Sequence, residues 1–292
     1  MQKRIRSQYN QNLVQRGSIT FYLDIKALRS IKNFRSKSTG GRPQEFPLIL
    51  IHILIMLKIQ YSLPYRALAG FARSIKWLTI PTYSLICKRA KDLSSLLPKL
   101  SSKRPKVVLL DASGLKVYGE GEWKRKIHGI GRPRKWLKLH IDVDESSQEI
   151  VAEILTESNI ADSKMIEPLL CSTSKSVRLV KADGGYDRRK VRDHVKKRGV
   201  DLLVSPPKNA CIRGVYPERD TAISVIRGLG GDRSARSLWG KLTGYNYRVL
   251  VETAYSCLKR LFGPCLFFRT FDRQLVESRL KCLMLNEMIR VS

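Results

Sequence analysis

The sequence predicts an α/β fold, a mixed sheet flanked by helices, with an all-α unit of helix-turn-helix type ahead of it. Three observations carry this. Apolar residues from Pro47 to about Leu93 recur at helical spacing, the pattern changes period near residue 105, and strand-like and helical runs then alternate until two helices close the chain. At 292 residues the chain can bury a substantial core as one large domain or two modest ones, without disulfide or metal staples.

The first 40 or so residues are polar and basic, ending in Ser36-Lys-Ser-Thr-Gly-Gly-Arg-Pro43, too poor in apolar side chains to fold alone, so a flexible basic arm is expected over 1–46. Pro47 to Gln60 reads as a buried helix, and Pro64 to Lys76 as a second, with Leu68, Phe71, Ala72 and Ile75 on one stripe. Beyond the turn at Pro81, Thr82 suits an N-cap, and Tyr83, Ile86, Lys88, Arg89 and Lys91 mix apolar and basic residues on a short third helix. That arrangement fits a helix laid on DNA; any small three-helix unit has the same pattern. The boundary falls between Leu97 and Pro105.

Lys106 to Asp111 is then a short buried strand, Trp136 to Val143 alternates as a half-exposed strand does, and Gln148 to Leu155 follows a polar turn, so a three-strand meander is expected. Asp162 to Leu170 reads as a crossover helix, Val177 to Ala182 as a fourth strand, Tyr186 to Lys197 as a basic helix and Val200 to Val204 as a fifth strand. Residues 206–243, rich in Pro, Gly and charge, read as an irregular insertion. Helices are expected at about 245–262 and 273–289.

Lys and Arg number 55 against 25 Asp and Glu, a formal charge of +30. Such an excess is offset most simply by a polyanion, nucleic acid before a membrane surface. The basic residues run through the whole chain (Lys3, Arg4, Arg35, Lys37, Lys124, Arg125, Lys126, Arg134 and Lys135 among them), which points to an extended footprint. The six cysteines form no CxxC pair and have no histidine at zinc-ligand spacing, so they read as reduced, buried thiols. The most apolar run, Pro47 to Ile59, is too short to cross a bilayer, and a soluble, unexported protein is expected.

Against this charge, a few carboxylates stand out by position. Asp111 and Asp183 each close an apolar strand, followed by Ala-Ser-Gly and by Gly-Gly respectively, where an Asp often bonds its own backbone. In a sheet of this order the first and fourth strands can be neighbours, which brings both acids to one edge. On the penultimate helix Tyr245, Arg248, Glu252 and Lys259 project within an arc of roughly 60°, with Val251, Ala254, Leu258 and Leu261 opposite. Either this is a solvated salt-bridged face, or Glu252 completes a set of three acids. His140 lies on an alternating strand and reads as a sheet histidine, and Gly119-x-Gly121 lacks the third glycine of a dinucleotide loop and reads as a turn.

At these residues the chain resembles the DDE transposases of bacterial insertion sequences, in the subgroup marked by Tyr-x2-Arg-x3-Glu-x6-Lys. Tyr245, Arg248, Glu252 and Lys259 satisfy every interval, Leu110-Asp111-Ala-Ser-Gly-Leu-Lys-Val-Tyr-Gly-Glu-Gly-Glu-Trp123 is similar to the subgroup's first-Asp motif, and Ala182-Asp183-Gly-Gly-Tyr-Asp187 to its second. Leu63 to Ala90 resembles the family's helical DNA-binding domain. The expected organisation is then a flexible arm over 1–46, a helical DNA-binding domain over 47–104 and a catalytic domain over 105–292 with its insertion at about 206–243, whose core the resemblance implies is ribonuclease H-like.

It further implies Asp111, Asp183 and Glu252 as catalytic, metal-binding residues for two Mg²⁺ ions, with Mn²⁺ a substitute. Arg248 and Lys259 are then phosphate contacts, Lys88 and Arg89 DNA contacts, and Tyr245 either braces a distorted terminal base or packs at the helix start. The implied partners are double-stranded DNA (terminal inverted repeats and target) and a second copy in a synaptic homodimer, in a cytoplasmic, nucleoid-associated setting with no membrane. The competing readings are a nuclease or resolvase on the same core, and a decayed or domesticated DNA-binding protein without the chemistry.

Overall fold

Where the apolar residues cluster decides which segments pack. The computed structural model describes residues 6–18, 25–34, 45–75, 79–101, 104–117 and 135–291. The chain divides into two units, Met1–Pro98 with Arg260–Ser292, and Lys99–Lys259. Lys3, Arg4, Arg35, Lys37, Lys124, Arg125, Lys126, Arg134, the Gly119-x-Gly121 turn and the end of the first-Asp motif from Tyr118 to Trp123 all lie outside the described residues.

The first unit holds helices α1 (Arg6–Arg16), α2 (Ile25–Lys32), α3 (Leu48–Gln60), α4 (Tyr65–Ser74) and α5 (Tyr83–Arg89), with a long C-terminal helix, Phe271–Arg290. Helix α3 is apolar on all sides and correspondingly buried, with Leu50, Ile51, Ile53, Leu54, Ile55 and Leu57 all withdrawn from solvent. Thr82 caps α5 by accepting the Leu85 N–H. The expected arm is partly helical. Its described residues carry α1 and α2, and Arg16 donates to the Met288 carbonyl at 2.8 Å while the Tyr61 hydroxyl donates to the Gly17 carbonyl at 3.0 Å. Contacts distant in sequence thus supply what the local composition lacks. Among the described residues no single helix is long and apolar enough to cross a membrane. Two of the thiols expected to be buried, Cys171 and Cys211, are exposed.

The second unit is built on strands β1 (Val107–Val117), β2 (Trp136–Asp144), β3 (Ile150–Glu157), β4 (Leu179–Ala182) and β5 (Asp201–Val204). Their order is β3-β2-β1-β4-β5. The first three form the expected antiparallel meander, while β4 and β5 run parallel to β1. This mixed sheet, with helices on its faces, has the ribonuclease H-like arrangement. A 3₁₀ turn at Asp162–Lys164 leads into helix α6 (Ile166–Ser172), and α7 (Arg189–Lys197) follows β4. Ile166, Leu169 and Leu170 of α6 and Val191 and Val195 of α7 pack with Val108, Leu110 and Val180 on one face of the sheet.

The stretch 206–243 is not irregular: it carries helices α8 (Pro217–Gly228) and α9 (Arg233–Leu242). Ala222, Ile226 and Trp239 form a small core against Leu203 and Tyr245. Pro217 at the first turn and Asp232, which accepts the Ala235 N–H, start these two helices. Helix α10 (Val249–Phe262) follows a 3₁₀ turn at Tyr245–Arg248, so the expected single helix begins as a tighter coil.

Asp142 lies opposite Leu110 in the sheet, fully buried, and accepts the Thr173 hydroxyl at 2.8 Å. Burial pushes its carboxyl up from 3.8 to about 7, against smaller opposing effects from Thr173 and Arg198. The folded chain therefore holds a proton there that the unfolded chain has released. This contribution is fully present below pH 3.8 and is lost as the pH rises through the folded value near 7. In Asp142→Asn, which cannot ionise, that loss disappears. The difference in unfolding free energy, parent minus variant, should fall by about 4 kcal/mol over this window. Urea unfolding of both proteins at a series of pH values checks this, and parallel curves would remove Asp142 as the titrating group.

Candidate active site

The site begins where β1 outlasts its parallel neighbour. Leu110 pairs with Ala182, the last residue of β4, so Asp111 and Asp183 stand side by side one step further on. Asp111 was expected to end its strand. It lies instead in mid-strand, because β1 continues along β2 as far as the pair Lys116 and Trp136. Asp183, at the true end of β4, opens a 3₁₀ turn over Gly184–Tyr186.

Each acid uses one oxygen locally. Asp111 Oδ1 accepts the Ala112 N–H at 2.8 Å and Asp183 Oδ1 accepts the Gly184 N–H at 2.7 Å. The second oxygen of Asp111 faces Arg248, whose Nη1 stands 3.3 Å from Oδ2, and Arg248 Nη2 donates to Glu252. One guanidinium therefore bridges two of the three candidate acids, as the i,i+4 spacing allows for Glu252. Burial raises the Asp111 carboxyl above its usual range, and Asp183 and Glu252 act in the same direction. The Ala112 N–H and Arg248 oppose them. Although burial disfavours a charged guanidinium, Tyr245, Glu252 and Asp111 together hold Arg248 charged. Glu252 is half exposed.

The remaining sequence-derived residues separate into two groups. Lys259 lies with the acids: its Nζ donates to Ser113 Oγ at 2.7 Å, two residues beyond Asp111 on the same side of β1. Tyr245 is occupied by packing, its hydroxyl donating to the Ala182 carbonyl at 3.1 Å and its ring 5.3 Å from Trp239. Burial pushes its phenol up, Asp183 adds to this and Arg248 opposes it. Lys88 and Arg89 belong to the other unit. Lys88 is exposed on α5, whereas Arg89 reaches the Phe46 carbonyl ahead of α3 and stands 3.9 Å from Asp92, which makes it a brace between α5 and its neighbouring segments.

Of the opposite face, Val251, Ala254 and Leu258 are buried, but Leu261 is exposed. His140 is a buried sheet histidine whose Nε2 stands 2.9 Å from Thr156 Oγ1, and burial pushes it down to about 4, Asp162 acting against this and Lys138 with it.

Four further residues shape the site. Tyr255 lies on α10 within one step of the Arg248 arc, and its hydroxyl is shared between the carbonyls of Asp111 (2.9 Å) and Leu139 (2.7 Å), which fixes the backbone of β1 and β2 at the acid. Lys181, two residues before Asp183, donates to the Gly244 carbonyl at 2.8 Å and pairs with Glu145 at 2.5 Å. It thereby anchors the turn that carries Tyr245 and Arg248. Gly244 has φ +69, and at Gly240 an added Cβ would collide with the Asn246 side chain, so glycine at both places lets α9 and this turn approach closely. Tyr255 was legible as an aromatic beside the arc; nothing local marks Lys181.

The donor chemistry suits a hard divalent cation, since Asp111, Asp183 and Glu252 offer only carboxylate oxygens. With Arg248 between two of them, however, no group of three acidic, imidazole or thiol side chains among the described residues stands ready to hold an ion.

A family model described as "Transposase DDE domain" matches residues 102–286, and a second with the same description matches residues 14–120. Among solved structures, the chain is similar to one described as a piggyBac transposase synaptic complex with hairpin DNA, at 9% identity over 93% of this chain and 73% of that one, with a TM-score of 0.47. A pre-cleavage Mos1 transpososome is similar at 11% identity over 89% of this chain and 83% of that one, with a TM-score of 0.25. With overlap this weak, the assignment rests on the family models.

Proposed function

Because the chain belongs to the DDE-domain transposases and is a DNA transposase, we propose that Asp111, Asp183 and Glu252 are its catalytic triad, cutting transposon ends and joining the freed 3′ hydroxyl to target DNA. The observation that carries this reading is the pairing of Leu110 with Ala182, which sets Asp111 beside Asp183, together with the single guanidinium that links Asp111 to Glu252. Transposases of this family are generally divalent-metal dependent. Here Asp111, Asp183 and Glu252 would hold two Mg²⁺ ions, with Mn²⁺ a substitute. When bound, the ions supply an activated attacking oxygen and a stabilised leaving oxygen.

The protein's own groups do the rest by position and charge. Tyr255 fixes the backbone at Asp111, and the Ala112 N–H holds its Oδ1, leaving Oδ2 toward Arg248. Lys259 on α10 and Arg248 in the turn before it reach toward the acids, where a compact ammonium and a forked guanidinium neutralise phosphates flanking the scissile bond. Tyr245 reads best as packing that fixes the start of this segment, since its hydroxyl is already given to Ala182. No serine or cysteine nucleophile is required, because phosphoryl transfer depends mainly on positioning and charge neutralisation.

The partners are double-stranded DNA, as terminal inverted repeats and as target, and a second copy of the chain in a synaptic dimer at the nucleoid. Lys88 contributes to the DNA footprint of the helical unit; Arg89 supports it from within. The reading is tested by incubating the full chain with a duplex carrying its own element's end, a target plasmid and Mg²⁺. Products in which the 3′ end is covalently joined to the plasmid are expected. Nicked ends that are never joined would reduce the activity to that of a nuclease, and uncut DNA would overturn the triad.

A further inference from the structure

The carboxylates that should share a divalent ion are instead bridged by a side chain of their own chain. Asp111 Oδ1 is committed to the Ala112 N–H, and its other oxygen, Oδ2, is the atom that Arg248 approaches. The other arm of the same guanidinium is bonded to Glu252. Oxygen ligands of Mg²⁺ must close to about 2.0–2.1 Å around a near-octahedral ion. A guanidinium cation lying between these two oxygens competes with an ion for them. Arginine suits this place better than lysine: its planar fork reaches two carboxylates at once and keeps its charge at any working pH. The same fork is matched by phosphate, so a DNA backbone arriving at the site competes for Arg248 directly.

We propose that Arg248 is a resident cation that keeps the acidic site closed to metal until a DNA phosphate draws it away, so that DNA binds first and divalent ions enter afterwards. The proposal rests on the triad reading above and adds an order of assembly to it. It gives the protein a reason to combine a strongly basic surface with an acidic site. Without DNA the acids are neutralised internally and hold no reactive ion; with DNA, one movement provides a phosphate contact and opens the site. Arg248 would act on both events, as a positioning residue for the phosphate and as a gate for the metal.

The test uses the full chain and MnCl₂, with bound and free Mn²⁺ read by electron paramagnetic resonance, so that no turnover is needed. Without DNA the parent should bind Mn²⁺ weakly, and Arg248→Gln about tenfold or more tightly, the equivalent of about 1.4 kcal/mol or more. Arg248→Lys, which reaches one carboxylate only, should fall between them. Combining Arg248→Gln with Asp111→Asn should abolish the gain. A short duplex, with the Asp111→Asn protein and duplex as the blank, should tighten Mn²⁺ binding to the parent and leave Arg248→Gln little changed. Equal Mn²⁺ affinity of parent and Arg248→Gln without DNA would overturn the gate and leave the triad standing. Absence of Mn²⁺ binding above the blank in every protein, with duplex present, would overturn the triad itself. Circular dichroism establishes that the variants fold; if Arg248→Gln does not, the duplex experiment on the parent decides alone, and an unchanged affinity there overturns the gate.

Discussion

Asp111→Asn should lose metal-dependent end cleavage by about a thousandfold or more, the scale on which a preorganised charge acts in a dry site, while binding to end DNA stays within a few-fold. The asparagine keeps the shape of the side chain and an oxygen to accept the Ala112 N–H, and the Tyr255 contact falls on the backbone, so the strand should not move. What disappears is one negative charge and the ligand oxygen that now faces Arg248. The basic surface is untouched, and DNA affinity, which follows from it, should keep its steep salt dependence. Asp183→Asn and Glu252→Gln should behave alike if the three acids form one unit. Cleavage retained in any one of them would reassign that residue, and a parallel loss of DNA binding would point to a folding defect. A gel assay of nicked product, run beside a filter-binding series in salt, reads both quantities.

The contrast between this site and its sequence lies in which links are local. The Arg248 to Glu252 contact was legible because four residues bring side chains onto one helical face. The neighbouring placement of Asp111 and Asp183 followed from strand order, since a crossover helix between two apolar runs favours parallel pairing. Asp111 itself was misplaced at a strand end. Its strand continues through Ser113-Gly114, residues that read as a turn when the antiparallel partner that holds them is out of view.

Helices α8 and α9 were missed because Gly, Pro and charge dominate the composition of 206–243, although Ala222, Ile226 and Trp239 already sit at spacings that bury one side. The bridge from Arg248 to Asp111, and the hold of Lys181 on Gly244, join positions far apart along the chain and leave no periodic trace. Residues proposed to make chemistry were therefore readable, whereas residues that position them mostly were not.

Asp187 shows how much rests on that second kind of residue. It ends the second-Asp motif and has the appearance of a further catalytic acid, yet its side chain is only 2% exposed and faces two guanidinium groups. Arg192 of α7 reaches it at 2.7 Å and Arg219 of α8 at 2.9 Å. Arg219 also donates to the Cys211 carbonyl, and Arg192 is itself nearly as buried as the acid it meets. One carboxylate thus ties the loop after Asp183, the basic helix and the helical insertion to one point.

Asp187→Ala would leave two cations facing each other in a site with little water. A buried charge that loses its partner costs about 3–5 kcal/mol, more than the pair contributes when intact. The expected result is a large drop in the urea midpoint, with Asp187→Asn intermediate because an amide oxygen still accepts from one guanidinium. Because α8 and α9 pack against Tyr245, the loss should reach the site through the turn that presents Arg248. Mn²⁺ binding and cleavage should therefore decline as the fold loosens, in proportion to the fraction unfolded. Full stability in Asp187→Ala with cleavage abolished would reverse this assignment and place Asp187 among the catalytic acids.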